Sequence, residues 1–175
     1  MRLSLVLVTL LVAIPVVASS EELFSVEDGS LAQLPKQISD AIYQADSKNL
    51  TDFVRPQNGR CNLIGMRIKF GQDAKPAYFA TTANACNWGA AIGPIYLVLA
   101  EPHPTVILSD GGQAIGVDKE SHNGLPDLVI SASAANWSQK SWWKFNGAKY
   151  VKDKEEICSG SPDEGVTLQC KTIKK

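Results

Sequence analysis

Asn123-Gly124-Leu125-Pro126-Asp127-Leu128-Val129-Ile130, taken with Trp142-Trp143-Lys144-Phe145-Asn146-Gly147-Ala148-Lys149-Tyr150, decides how this chain is read. The two segments read as a tight turn, a buried strand, a polar loop and a second strand ending in another glycine turn. The polar run Ser131-Ala132-Ser133-Ala134-Ala135-Asn136 is the loop between them. Adjacent Trp142 and Trp143 on a strand must point to opposite faces, one toward a core and one toward solvent.

Upstream, the same period-two signal returns. Ile64, Met66, Ile68 and Phe70 alternate with Arg67 and Lys69, the mark of a half-buried strand. Tyr78 to Ala85 is its expected partner across Gly71-Gln72-Asp73-Ala74-Lys75-Pro76. A register centred between Asp73 and Ala74 sets Ile68 opposite Phe79, Met66 opposite Thr81 and Ile64 opposite Ala83. Ile95-Tyr96-Leu97-Val98-Leu99 is a continuous apolar run, as expected of a central strand. Asp110-Gly111-Gly112 predicts a hairpin between Thr105–Leu108 and Gln113–Val117.

Further back the period changes. Leu34, Ile38 and Ile42 recur every four residues behind Pro35, which predicts a helix from about Leu34 to Asp46 with a narrow apolar stripe. A second helical turn is expected around Leu50 and Phe53, before Arg55-Pro56-Gln57-Asn58-Gly59. The sum is an α+β fold: an N-terminal amphipathic helix packed on a mostly antiparallel β-sheet of hairpins, stabilised by disulfides.

Residues 1–20 carry Arg2, the apolar run from Leu3 to Val17 and the small residues Ala18-Ser19-Ser20. That order predicts a signal peptide cleaved near Ala18–Ser20, leaving a single exported domain over 21–175 in the periplasm or secreted. No later stretch is long and apolar enough to span a bilayer. Removing Arg2 from the 17 basic residues leaves 16 against 18 acidic, a net charge of −2. A polyanion requires a basic footprint, so nucleic acid is not an expected partner.

Four cysteines in an exported chain imply disulfides. Three pairings are open. Cys61–Cys86 and Cys158–Cys170 are favoured because each pair flanks a turn, the second at Ser161-Pro162-Asp163-Glu164-Gly165. Each bridge would contribute about 2–4 kcal/mol.

The order "G-x-P-D-L", then "F-x-G-x-x-Y", resembles one repeat unit of the FG-GAP or VCBS type over about residues 106–151. The resemblance implies a strand-turn-strand unit with a structural turn at Asn123, Gly124, Pro126 and Asp127. Such repeats often hold calcium, and the corresponding ligand positions are Lys119, Ser121, Asn123 and Asp127. A lysine stands where the first carboxylate belongs, and Asp118 and Glu120 are out of register. The expectation is a turn kept without its metal, with Asp127 bonding backbone N–H groups of its own turn.

For catalysis only His103 and His122 are available, and neither sits in a nucleophile signature such as G-x-S-x-G. Gly89, Gly93 and Gly111-Gly112 are turns and not phosphate loops, since no Lys-Ser/Thr follows. Asn49-Leu50-Thr51 and Asn136-Trp137-Ser138 match the glycosylation triplet. Trp137, Trp142 and Trp143 are the candidate ligand- or partner-binding aromatics, and Trp88 is a core residue beside a disulfide. The reading is a non-enzymatic exported domain without metal or cofactor, binding another protein in the manner of an inhibitor or immunity protein. The alternatives are a glycan or cell wall bound through the tryptophans, and an enzyme using His103 or His122.

Overall fold

The computed structural model describes residues 21–51, 59–89, 92–160 and 169–174. Residues 1–20, with the expected signal peptide, lie outside them, as do Phe53 and the Ser161–Gly165 turn.

Among the described residues the chain is mostly β. Strands β1 (Glu21–Ser25) and β2 (Ala32–Gln33) precede helix α1 (Lys36–Ala45). A first meander follows: β3 (Leu63–Phe70), β4 (Lys75–Thr82), β5 (Gly93–Leu99) and β6 (Thr105–Gly112). A second comprises β7 (Ala114–His122), β8 (Leu125–Ala134), β9 (Trp137–Phe145), β10 (Tyr150–Ser159) and β11 (Gln169–Lys174). All pairs are antiparallel, giving a six-stranded sheet β1-β7-β8-β9-β10-β11 and a five-stranded sheet β2-β3-β4-β5-β6. Each meander has captured one early strand at its edge.

The inner faces of the two sheets share one apolar core. Phe70, Phe79, Ile95 and Leu97 from the smaller sheet meet Phe24, Ile115, Leu128, Ile130 and Trp143 from the larger. Phe24 and Phe79 lie 5.5 Å apart between ring centroids, tying β1 across the sandwich to β4. Period-two alternation generates this directly, because every second side chain of each strand enters the gap.

The α+β assignment is therefore overturned: the fold is a two-sheet β sandwich with, among the described residues, one α-helix of ten residues. The stripe of α1 buries only Ile38 and Ile42. Both join a smaller cluster with Leu34, Leu50, Leu63, Tyr96 and Val98 on the outer face of the five-stranded sheet. The second sheet, not the helix, closes the main core. Leu50 is fully buried in a turn and not in a helix.

Two further expectations fail for local reasons. The β3–β4 register is Ile68 to Ala77, Met66 to Phe79 and Ile64 to Thr81, two residues from the expected one. The turn is a tight one at Gly71–Ala74, with φ of +78° at Gly71 and +49° at Ala74. Nor is there a hairpin at Asp110-Gly111-Gly112. Both glycines remain in β6, paired with Pro94 and Gly93, and the chain crosses to the other sheet at Gln113. A Cβ on Gly112 would run into the Ile130 side chain, so the glycine serves close approach between sheets rather than a turn.

The disulfides are Cys61–Cys86 and Cys158–Cys170, the favoured pairs. The first is buried in the cluster beneath α1, where the Tyr43 hydroxyl also donates to the Cys61 carbonyl at 2.8 Å. The second joins residues directly opposite on β10 and β11. Two disulfides fit an oxidising, extracytoplasmic compartment. No helix among the described residues is long and apolar enough to cross a membrane.

Candidate functional site

The β7–β8 hairpin turns on Asn123 and Gly124, with φ of +51° and +83°. Two successive positive φ values are what a two-residue hairpin loop demands, and Asn-Gly supplies them at least cost. The Asn123 amide donates to the Phe145 carbonyl at 2.7 Å, and the Tyr150 hydroxyl donates to the Pro126 carbonyl at 2.6 Å. Between them Asn146 Oδ1 accepts the N–H groups of Ala148 and Lys149. The two sequence segments thus meet in space, with the Phe145 and Tyr150 rings 5.4 Å apart. Pro126 and Asp127 lie within β8, past the turn itself.

The short loop fixes register: His122 pairs with Leu125 and Ser121 with Pro126. The register then shifts between Val117 and Ser121, so that residues 118–120 lie opposite Asp127 alone, with His122 two residues beyond Glu120 on the same strand. Donor atoms of Glu120, His122 and Asp127 accordingly lie within 4.8 Å of one another. Asp127 is not bonded to its own turn's N–H groups. Its Oδ1 is 2.6 Å from His122 Nδ1, and its side chain is only 5% exposed. Burial, then the Asp127 charge, pushes the Tyr150 phenol well above its ordinary range. Glu120, Ser121 and Pro126 also border a cleft of about 630 Å3 whose apolar wall includes Leu23, Ile68 and Phe70. Glu120, out of register for a calcium loop in the sequence, is the third member of this group. The E-x-H-x4-D spacing around Asn-Gly was the signal that could have found it.

The tryptophans do not form a shared platform. Trp143 is buried in the main core with Lys152 Nζ 5.1 Å from its ring centroid. Trp142 faces the other way, half-buried, with Lys154 Nζ 4.4 Å from its ring centroid. Trp137 is half-buried at the far end of β9. The expected loop before it is strand, since β8 runs to Ala134. There the Gln113 side chain acts as a surrogate strand partner, donating to the Ser133 carbonyl and accepting its N–H, both at 2.8 Å. Trp88 packs against Gly93, and its Nε1 donates to Thr82 Oγ1 at 2.9 Å. Asn49 and Asn136 are both exposed, and Asn49 donates to Asp46. His103 is exposed in a bend, where its carbonyl accepts the Thr105 hydroxyl at 3.0 Å.

The strands β10 and β11 form a flange clamped by Cys158–Cys170. At its root Glu155 accepts from Lys152 (2.9 Å), Gln139 (2.8 Å) and Ser141 (3.2 Å). Lys152 reaches across to Asp110 of the other sheet at 3.5 Å. Beyond that bridge Ile157 is 37% exposed and Ile173 39%; Val151, before the bridge and opposite Lys144, is 44% exposed, and these are the exposed large hydrophobic residues among those described. Register sets Glu155 opposite both Ser141 and Ile173, so alternation puts Ile157 and Ile173 on the same face as buried Ser141 and Trp143. The core-forming face of the larger sheet therefore continues past the smaller one. Every described side chain of β11 is exposed, and β11 is an edge strand.

No family model, curated protein or solved structure matches this chain.

Proposed function

We propose that this chain is an exported, non-enzymatic binding domain of the inhibitor or immunity type, and that it engages a partner protein through the β10–β11 flange. The observation that carries this is the exposure of Ile157 and Ile173 on one face of those two strands. Isolated surface apolar residues are ordinary, but a cluster beside an unpaired strand edge has another use. Edge strands invite pairing, and natural proteins blunt them unless pairing is their role. The disulfide fixes the flange before binding, which lowers the ordering cost of association.

The occupant that fits is an extended segment of the partner, adding to the β11 edge and laying apolar side chains over Ile157 and Ile173. Strand β11 carries Lys171 and Lys174 and no acidic residue, so an acidic rim on that segment is favoured. A glycan reading through Trp137, Trp142 and Trp143 has less support, because Trp143 is buried and Lys154 stands over Trp142.

The test is parallel capture from extract of the protein's own compartment and of neighbouring species, with wild type, Ile157→Lys, Ile173→Lys and Trp142→Ala as baits. One stoichiometric protein should be retained by wild type and Trp142→Ala, and reduced about tenfold or more by either isoleucine variant with near-UV circular dichroism unchanged. A partner held equally by all four baits contradicts the flange. Glycan retention lost in Trp142→Ala, or self-association through β11, replaces the proposal.

A further inference from the structure

The β7–β8 hairpin contains an electrostatic problem that the flange does not explain. Asp127 is a buried carboxylate, and a buried charge is costly unless a cation or several hydrogen bonds compensate it. Among the described residues no lysine or arginine is ion-paired with it, and its one hydrogen-bond partner is His122. An ionised carboxylate offers about four lone-pair positions, so most of its accepting capacity is unused. Tyr150 does not fill it, since its hydroxyl donates to the Pro126 carbonyl. His122 is its counter-ion only when protonated, and a cation from outside the chain could complete the site.

We propose that Glu120, His122 and Asp127 form a binding site for a divalent transition cation of the zinc class. Their donor atoms already converge within 4.8 Å, beside the register shift of the β7–β8 hairpin. One imidazole and two carboxylates suit zinc, cobalt or nickel rather than calcium, which takes six to eight oxygen donors. Three protein donors leave one tetrahedral position open. Glu120 lies on the wall of the 630 Å3 cleft, so that position is accessible to water or a small ligand.

The experiment is calorimetric titration of Zn2+ into chelator-treated, oxidised, tag-free protein. Cobalt spectroscopy accompanies it. One equivalent should bind, and Co2+ should give visible bands typical of low coordination number. Affinity should fall about tenfold or more in Glu120→Gln and in His122→Ala, and should be unchanged in His103→Ala and Lys119→Ala. Glu120 is exposed, so Glu120→Gln tests the site even if removing His122 perturbs the fold. Absence of stoichiometric uptake at micromolar Zn2+, or uptake indifferent to both Glu120→Gln and His122→Ala, overturns the proposal.

Discussion

Glu155 shows how a single side chain can couple the two sheets. Its carboxylate collects Lys152, Ser141 and Gln139, and Lys152 continues to Asp110 on β6. The Lys152 hydrogen bond is the leading cause that holds Glu155 below the ordinary glutamate value of 4.5, against the opposing effect of burial. A depressed folded-state value means the native state holds its proton less tightly than the unfolded chain. The stabilisation is therefore present above about pH 4.5 and is lost as pH falls through the lower folded value. Denaturant midpoints measured from pH 6 to pH 3 should fall more steeply for wild type than for Glu155→Gln. Parallel curves would mean that the bridge contributes nothing to folding. The sequence gives no hint of this cluster, because Asp110, Gln139 and Lys152 come from three strands whose pairing alternation cannot specify.

The two disulfides illustrate the same point for whole elements. Cys61–Cys86 closes 25 residues inside the buried cluster under α1, whereas Cys158–Cys170 closes 12 at an exposed strand end. Replacing Cys61 and Cys86 together by serine should lower global stability by about 3 kcal/mol or more, from lost chain constraint and lost burial. The Cys158/Cys170 double serine variant should instead fray β11 and weaken partner capture, with a smaller change in the global midpoint. Urea unfolding combined with amide exchange at β11 checks both, and equal losses of midpoint would contradict the distinction. Elements were legible where burial is one-sided: the alternation from Ile64 to Phe70 and the apolar run from Ile95 to Leu99 are β3 and β5. They were illegible where a side chain replaces a strand, as Gln113 does for Ser133. The tight Gly71–Ala74 turn likewise shifted the β3–β4 register by two residues without altering which face is apolar.

For the molecule as a whole, the step from hairpins to layers is where sequence reasoning stopped. Period two identifies strands but does not assign them to a sheet, so Asp110-Gly111-Gly112 reads as a turn although the chain crosses there from one sheet to the other. The helix attracted too much weight for a similar reason. Its stripe is real, yet it covers the outer face of a sheet whose inner face is closed by a second meander. The Asn123–Tyr150 region was readable as a unit because its turn residues bond each other across the hairpins. The flange was not, since exposure of Ile157 and Ile173 depends on how far the smaller sheet extends.

Amide hydrogen exchange on the domain, alone and saturated with its captured partner, tests the central claim most directly. Binding through the flange predicts new protection over Gln169–Lys174 and the outer half of Tyr150–Ser159, with the β7–β8 hairpin unchanged. Protection centred on Trp142 and the opposite face of the sheet, or on the hairpin at His122, would contradict it.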